Sequence, residues 1–346
     1  MIEVKGLVEE NLADAERVVR TRFGENGVSV VRAFMKNPLR EDWPYAGYLA
    51  YCDGVPQAFE GFALRRMFLK GEAIVGKVGG VTCAIPGADE DAFVEVRLQN
   101  NRGYAGSVIG FGNSQNANTA YLTRKSKNAF AGPESCSRYL WRAVRPMACL
   151  AYAGRRKIFK APIPSWPDFD TLKSLDFPGR VYADRKSFFD RLMARYVASN
   201  EGLVCSRSGE EIEWMFGERI QDGRSVVLGT SDAEGPTGAI IIGSDQTARR
   251  FMIQDWIAVG NDLRTLEELL RLACRFAKER TPAMMIETMG FPTFVQPLLK
   301  KYFPHRRKVD NNFFSWWSKP LKDRLLPIID TPKSWFFGPY DGDLVM

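Results

Sequence analysis

Gly106-Ser-Val-Ile-Gly-Phe-Gly-Asn-Ser-Gln-Asn-Ala-Asn-Thr-Ala-Tyr-Leu-Thr-Arg-Lys125 is the stretch on which the reading of the fold turns. Ser107 to Phe111 reads as a short apolar strand. A Gly/Asn/Ser/Gln turn follows, and a helix opens near Asn116 or Asn118. That order brings backbone N–H groups and amide side chains to the edge of a sheet, where a ligand can sit. An ordinary strand-to-helix connection has the same pattern, so the flanking sequence has to decide.

Upstream, Leu12, Ala15, Val18, Val19 and Phe23 share one helical face, and the helix is expected to end near Gly24. Three strands follow, at 46–51, 57–68 and 73–84. Cys52-Asp53-Gly54-Val55-Pro56 and Lys70-Gly71-Glu72 turn the chain between them, which predicts an antiparallel meander. Residues 89–99 fit a helix, with Asp89, Glu90 and Asp91 in its first turn. The alternation of Val94, Val96 and Leu98 with charged residues also fits a strand. Residues 138–153 are apolar and read as one or two strands.

Residues 154–175 carry Arg155-Arg156-Lys157 and three prolines around Trp166, and read as a linker between lobes at 1–153 and 176–346. The second half runs through helices at 188–197 and 210–216, then strands at 225–229, 237–243 and 250–259. A helix with the stripe Leu263, Leu266, Leu270, Ala273 and Ala277 comes next, then a strand at 284–289 and a helix through Leu299. Like elements recur about 176 to 181 residues apart, the mark of repeated architecture.

Composition narrows the function classes. The 346 residues are 45% apolar and 26% charged, enough to bury a full core. One His and six scattered Cys without a C-x-x-C pair argue against a zinc site of the Cys/His kind, and no metal site is expected. His305, in a basic run, reads as a surface residue. No G-x-S-x-G elbow, P-loop or dinucleotide fingerprint is present. A net charge of +7 is partly clustered at 155–160 and 300–308. Such patches suit phosphates, an acidic membrane surface or nucleic acid, though the aromatic-basic pattern of nucleic-acid readers is missing. No apolar run is long enough to span a membrane, and the acidic, amphipathic N-terminus reads as that of a soluble, cytoplasmic protein.

Helix, antiparallel strands, central helix, strand, polar turn, helix: this order, twice, resembles the GNAT superfamily of acyl-CoA-dependent N-acyltransferases in tandem form. The resemblance rests on Gly110-Phe-Gly-Asn-Ser-Gln-Asn116 before a helix carrying Tyr121, on Asp255-Trp256 before the 262–280 helix, and on the ending Trp335 to Asp343. It implies an α/β (α+β) protein of two lobes, each a mixed, mostly antiparallel sheet flanked by helices. It implies acyl transfer from acyl-CoA or acetyl-CoA to an amine, on a small molecule, a sugar or an envelope precursor. A non-catalytic ligand-binding or scaffold protein on the same fold is the alternative. A homo-oligomer is compatible with the sequence.

The resemblance also assigns roles. A base must take a proton from the amine and an acid must serve the thiolate. Asp255, Glu287 and Glu60, carboxylates in apolar strands, are the candidates for the base, because burial raises a carboxyl pKa toward a useful range. Tyr121 stands where the family places its acid. Asn113 and Asn116 are expected to line the cofactor cleft, and Gly260, Asn261 and Arg264 to open the pyrophosphate loop of the second lobe. The sequence departs from the family's Gly-rich loop at both places. Residues 85–91 are acidic, and 259–264 keep one Gly, one Arg and an opposing Asp262.

Overall fold

A computed structural model describes residues 1–40, 43, 45–102, 109–114, 129–131, 138–154, 177–181, 184–245, 250–281, 283–289, 293–308, 312–317 and 335–336. Strands β2 (Gly47–Cys52), β3 (Val55–Leu69) and β4 (Glu72–Ala84) form the meander the turns predict, and β1 (Ile2–Gly6), which the sequence reading does not assign, pairs antiparallel with β2. Asp53 and Gly54 have φ of 48° and 79°, and Lys70 and Gly71 of 51° and 80°. Two left-handed residues in succession match the twist of tight hairpins.

Helix α1 (Leu12–Met35) passes the point where the sequence reading ends it. Gly24, at φ 59° and ψ −152°, breaks the helical geometry, but the chain resumes the helix and buries Val28, Val31, Phe34 and Met35. Their spacing is again helical, so tertiary burial overrides the glycine stop. Phe34 lies over the sheet on two glycines. A Cβ at Gly80 would stand 2.1 Å from its ring, and one at Gly61 2.8 Å. Replacing Gly80 by Ala is therefore expected to cost about 1–3 kcal/mol through overpacking, read as a lower urea midpoint. An unchanged midpoint would mean that the Phe34 ring is free to move aside.

Helix α2 (Glu90–Arg102) follows β4, buries Ala92 and Val96 and leaves Val94 and Leu98 exposed, so the helical reading of this segment holds. Strand β5 (Ile109–Ser114) and a short β6 (Ala129–Ala131) come next. Strand β7 (Arg138–Ala143) is one of the strands expected at 138–153, but the rest is helix α3 (Pro146–Gly154). Proline is at home in a first helical turn, and that ends the strand reading.

The second half contributes α4 (Arg185–Ala198), β8 (Leu203–Cys205), α5 (Gly209–Gln221), β9 (Ser225–Asp232), β10 (Gly235–Asp245) and β11 (Arg250–Ala258). Then follow α6 (Leu263–Arg280), β12 (Met285–Met289), α7 (Gln296–Tyr302), β13 (His305–Lys308), β14 (Asn312–Trp317) and β15 (Trp335–Phe336). The buried stripe of α6 starts at Leu266, since Leu263 is 46% exposed. One sheet runs β1-β2-β3-β4-β5-β14-β6, with β8 on β3 and β15 on β8. The other runs β13-β7-β12-β11-β10-β9. Late strand β14 thus completes the sheet of the early strands, and early strand β7 lies in the sheet of the late ones. Among the described residues, no helix is long and apolar enough to cross a membrane.

Candidate functional site

Both sheets contain the same local device. In the first, β4 pairs with β5 in parallel only over Gly76–Val78 against Ile109–Phe111. In the second, β11 pairs with β12 in parallel only over Arg250–Met252 against Met285–Glu287. Beyond these three-residue ladders the strands part. β4 continues to Ala84 paired with β3, and β5 turns its next residues to β14. β11 continues to Ala258 paired with β10, and β12 stays with β7. A bulge accompanies each parting. Gly80 and Val81 stand against the single Gly61 between Glu60↔Thr82 and Phe62↔Gly79. Gln254 is the extra residue between Ile241↔Asp255 and Ile242↔Ile253. Bulges kink a strand and re-aim its side chains, and they favour an opening at such a place. The central helices α2 and α6 start directly after the two bulged strands.

The first junction is lined by small residues: Gly79 and Gly80 on β4, Gly110 and Gly112 on β5. Beneath α2, on the same face of the sheet as Phe62, a buried polar group faces inward. The Lys77 amine is fully buried, bonds to Asn100 Oδ1 of α2 and lies 4.3 Å from the Phe62 ring centroid. Burial holds its pKa well below the ordinary lysine range, with Glu60 pulling the other way and Arg97 adding to the depression. Glu60, 6% exposed, has its Oε2 without a hydrogen-bond partner among the described residues. A buried carboxylate oxygen with spare acceptor capacity is what a base needs. Glu60 sits opposite Thr82, one strand spacing (~4.8 Å) from the edge of β4 that, among the described residues, has no strand partner beyond Val78.

The second junction is different. Asp255 is 2% exposed, but it is committed: Arg207 Nε donates to its Oδ2 at 2.9 Å and Arg207 Nη2 to its Oδ1 at 3.0 Å. Arg207 also donates to the Cys205 carbonyl, and neighbouring Ser206 accepts at its carbonyl from Arg65 of β3 at 3.1 Å. Arg65 in turn lies 3.8 Å from Glu211 of α5. These buried charges tie the bulge of one sheet to the long strand of the other.

Glu287, 1% exposed, is clamped by Arg250 at 2.8 Å and by Arg307, whose Nη2 reaches both carboxylate oxygens at 3.2 Å. His305 is exposed and stacks on Trp141, with centroids 4.4 Å apart. A small apolar cavity of about 10 Å³ adjoins this junction between Trp256, Leu266, Leu270, Val295, Leu298 and Leu299. Its apolar lining offers no donor to a polar ligand.

Two of the three residues expected to cradle a pyrophosphate are engaged elsewhere. The Gly260 N–H donates to Ser199 Oγ at 2.8 Å, and Asn261 Oδ1 accepts from Tyr196 OH at 2.8 Å, so both dock α4. Arg264 is exposed on the first turn of α6. Asp262 accepts from the Thr265 N–H and hydroxyl, each at 2.8 Å. Burial pushes the Asp262 carboxyl up, but these bonds outweigh it and hold the carboxylate below its ordinary range. At α2, Asp89 Oδ1 accepts from the Asp91 N–H at 2.9 Å. Each central helix is thus capped by its own carboxylate, which takes a donor and adds the wrong charge for a diphosphate.

Asn113 is not in a turn. It lies within β5, opposite Phe313, because pairing with β14 carries the strand past Gly112. Asn116 and Tyr121 lie outside the described residues. Lys77, Asn100, Arg207 and Arg250 were not singled out from the sequence, and Arg307 only as part of the basic run at 300–308. Lys77 had a signal: it shares the inward parity of Val75 in a strand whose neighbours are apolar.

No family model and no curated protein matches the chain. Solved structures do. A GCN5-related N-acetyltransferase from Anabaena variabilis matches at TM-score 0.56 and 10% identity, over 91% of this chain and 72% of that one. One from Kribbella flavida matches at 0.56 and 12%, over 91% and 70%. Saccharomyces cerevisiae N-myristoyltransferase, solved with bound myristoyl-CoA, matches at 0.51 and 12%, over 91% and 78%. The chain therefore has the GNAT-like fold, an α/β architecture it shares with acyltransferases at very low identity.

Proposed function

We propose that the chain transfers an acyl group from a thioester donor of the acyl-CoA type to a small-molecule amine, at the junction of β4 and β5. The observation that carries this is the parting of β4 from β5 after three residues, beside the unpartnered Glu60 Oε2. An open strand edge presents backbone N–H and C=O groups, and an extended amide-bearing arm pairs with such an edge as another strand would. Glu60 is the base that takes the proton of the acceptor amine.

The donor's two parts fit unequally. Its amide-bearing arm suits the β4 edge. Its diphosphate is disfavoured at α2 and α6, where Asp89 and Asp262 each take a first-turn N–H and add a negative charge. Calorimetry with acyl-CoA and the matching S-acyl-pantetheine tests this. The two are expected to bind within about threefold of each other. An acyl-CoA preference of a hundredfold or more, about 2.7 kcal/mol, would show that a diphosphate site exists. Binding of neither would favour the non-catalytic reading, a ligand-binding or scaffold protein, which the clamped Asp255 and Glu287 also support.

A further inference from the structure

Helix α3 is built against the usual rule for a surface helix. Pro146-Met-Ala-Cys-Leu-Ala-Tyr-Ala-Gly154 has no charged residue, and none of the nine is buried. Met147 and Leu150 are 77% and 67% exposed, the most exposed large apolar side chains among the described residues apart from the terminal Met1. They stand three apart and share a face, on which Ala151 also lies exposed. Exposed apolar groups gathered on one element mark a contact surface.

The helix is firmly seated. Arg145, just before it, donates to the carbonyls of Ala283 at 2.7 Å and Lys278 at 2.6 Å, at the end of α6. Cys149 Sγ donates to the Met284 carbonyl at 3.2 Å from the opposite, inner face. The outer face is therefore held outward by fixed bonds. The flanking elements are basic. Arg142 of β7 and Arg275, Lys278 and Arg280 of α6 are exposed, against Glu279 as the one acid of that last turn. By sequence alone, Arg155-Arg156-Lys157 and Lys160 add four cations within six positions after α3.

We propose that α3 seats the protein on a bilayer surface containing anionic lipid. Nine residues are far too short to span a membrane, so the helix lies in the interface with Met147 and Leu150 inserted. The charge of the surrounding elements selects the occupant. Cations beside an apolar face match an anionic headgroup layer over acyl chains, whereas a second copy of the chain would bring like charge to like. The proposal does not depend on the acyl-transfer reading.

Co-sedimentation of the full chain with vesicles tests it, using phosphatidylcholine alone and phosphatidylcholine with about 30% phosphatidylglycerol. Binding is expected on the mixed vesicles, weakened by salt. Met147→Ser with Leu150→Ser is expected to lower that affinity at least tenfold at unchanged circular dichroism. Both side chains are exposed, so the variant should fold. Failure to bind mixed vesicles, or equal binding by the variant, overturns the proposal. So does a wild-type dimer that the variant converts to monomer, which would make a second copy the occupant. Salt-sensitive retention on DNA that exceeds vesicle binding overturns it in favour of nucleic acid.

Discussion

Asp255→Ala is expected to cost about 3–5 kcal/mol of stability, because it strands the Arg207 guanidinium in the interior. Arg207 is 1% exposed, and its two charge-assisted bonds to Asp255 are its main compensation for lost water. The loss should appear as a large fall in urea midpoint, for the pair links the β11 bulge to the segment between β8 and α5. Replacing both partners, Arg207→Met with Asp255→Leu, should recover most of the loss, since an apolar pair neither strands a charge nor wastes an acceptor. The double-mutant cycle then gives a large coupling energy. A mild effect of Asp255→Ala with a large loss of turnover would return Asp255 to the chemistry. That outcome would contradict the structural role assigned to it.

Glu60→Gln is expected to lower turnover about 10²–10⁴-fold while leaving donor affinity nearly unchanged. Release of free thiol from acetyl-CoA over a panel of primary amines would show it. Glutamine keeps the shape and an acceptor oxygen, so folding survives, but it cannot take the amine's proton at neutral pH. The nearby Lys77 amine, disfavoured as a cation by burial, is the competing base. Lys77→Met in the same assay separates the two: a Glu60 base predicts the greater loss in Glu60→Gln. Unchanged turnover in Glu60→Gln would remove it from the mechanism.

The hairpins were legible because Asp53-Gly54 and Lys70-Gly71 are local signals, read from adjacent residues. The helix α6 was legible through its stripe and its Asp262 cap. Local signals failed where tertiary contacts overrule them. Gly24 reads as a stop, yet the apolar face beyond it is worth more buried than the glycine costs. An apolar run without alternation gives no way to tell strand from helix, so α3 was read as strand. The membership of β14 and β7 in the opposite sheets depends on pairings about 200 and 145 residues apart, which no window along the chain contains.

The site shows the same division. That Asp255, Glu287 and Glu60 are buried carboxylates was readable from their apolar strands. Their partners were not: Arg207 is 48 residues from Asp255, and Arg307 is 20 from Glu287. Partners decide the role, since two of the carboxylates are clamped and the third keeps an open oxygen. The pyrophosphate departure was visible as Asp89 and Asp262 in the sequence, and the structure shows the reason it matters, each carboxylate occupying the donors it faces.

Hydrogen–deuterium exchange of the full chain with and without saturating acyl-CoA tests the donor site most directly. If the arm pairs with the open edge of β4, amides within 79–84 should slow on binding, and those of 253–258 on β11 should not change. Protection confined to 253–258, or bound donor with no protection at 79–84, would contradict the assignment of the donor to the first junction.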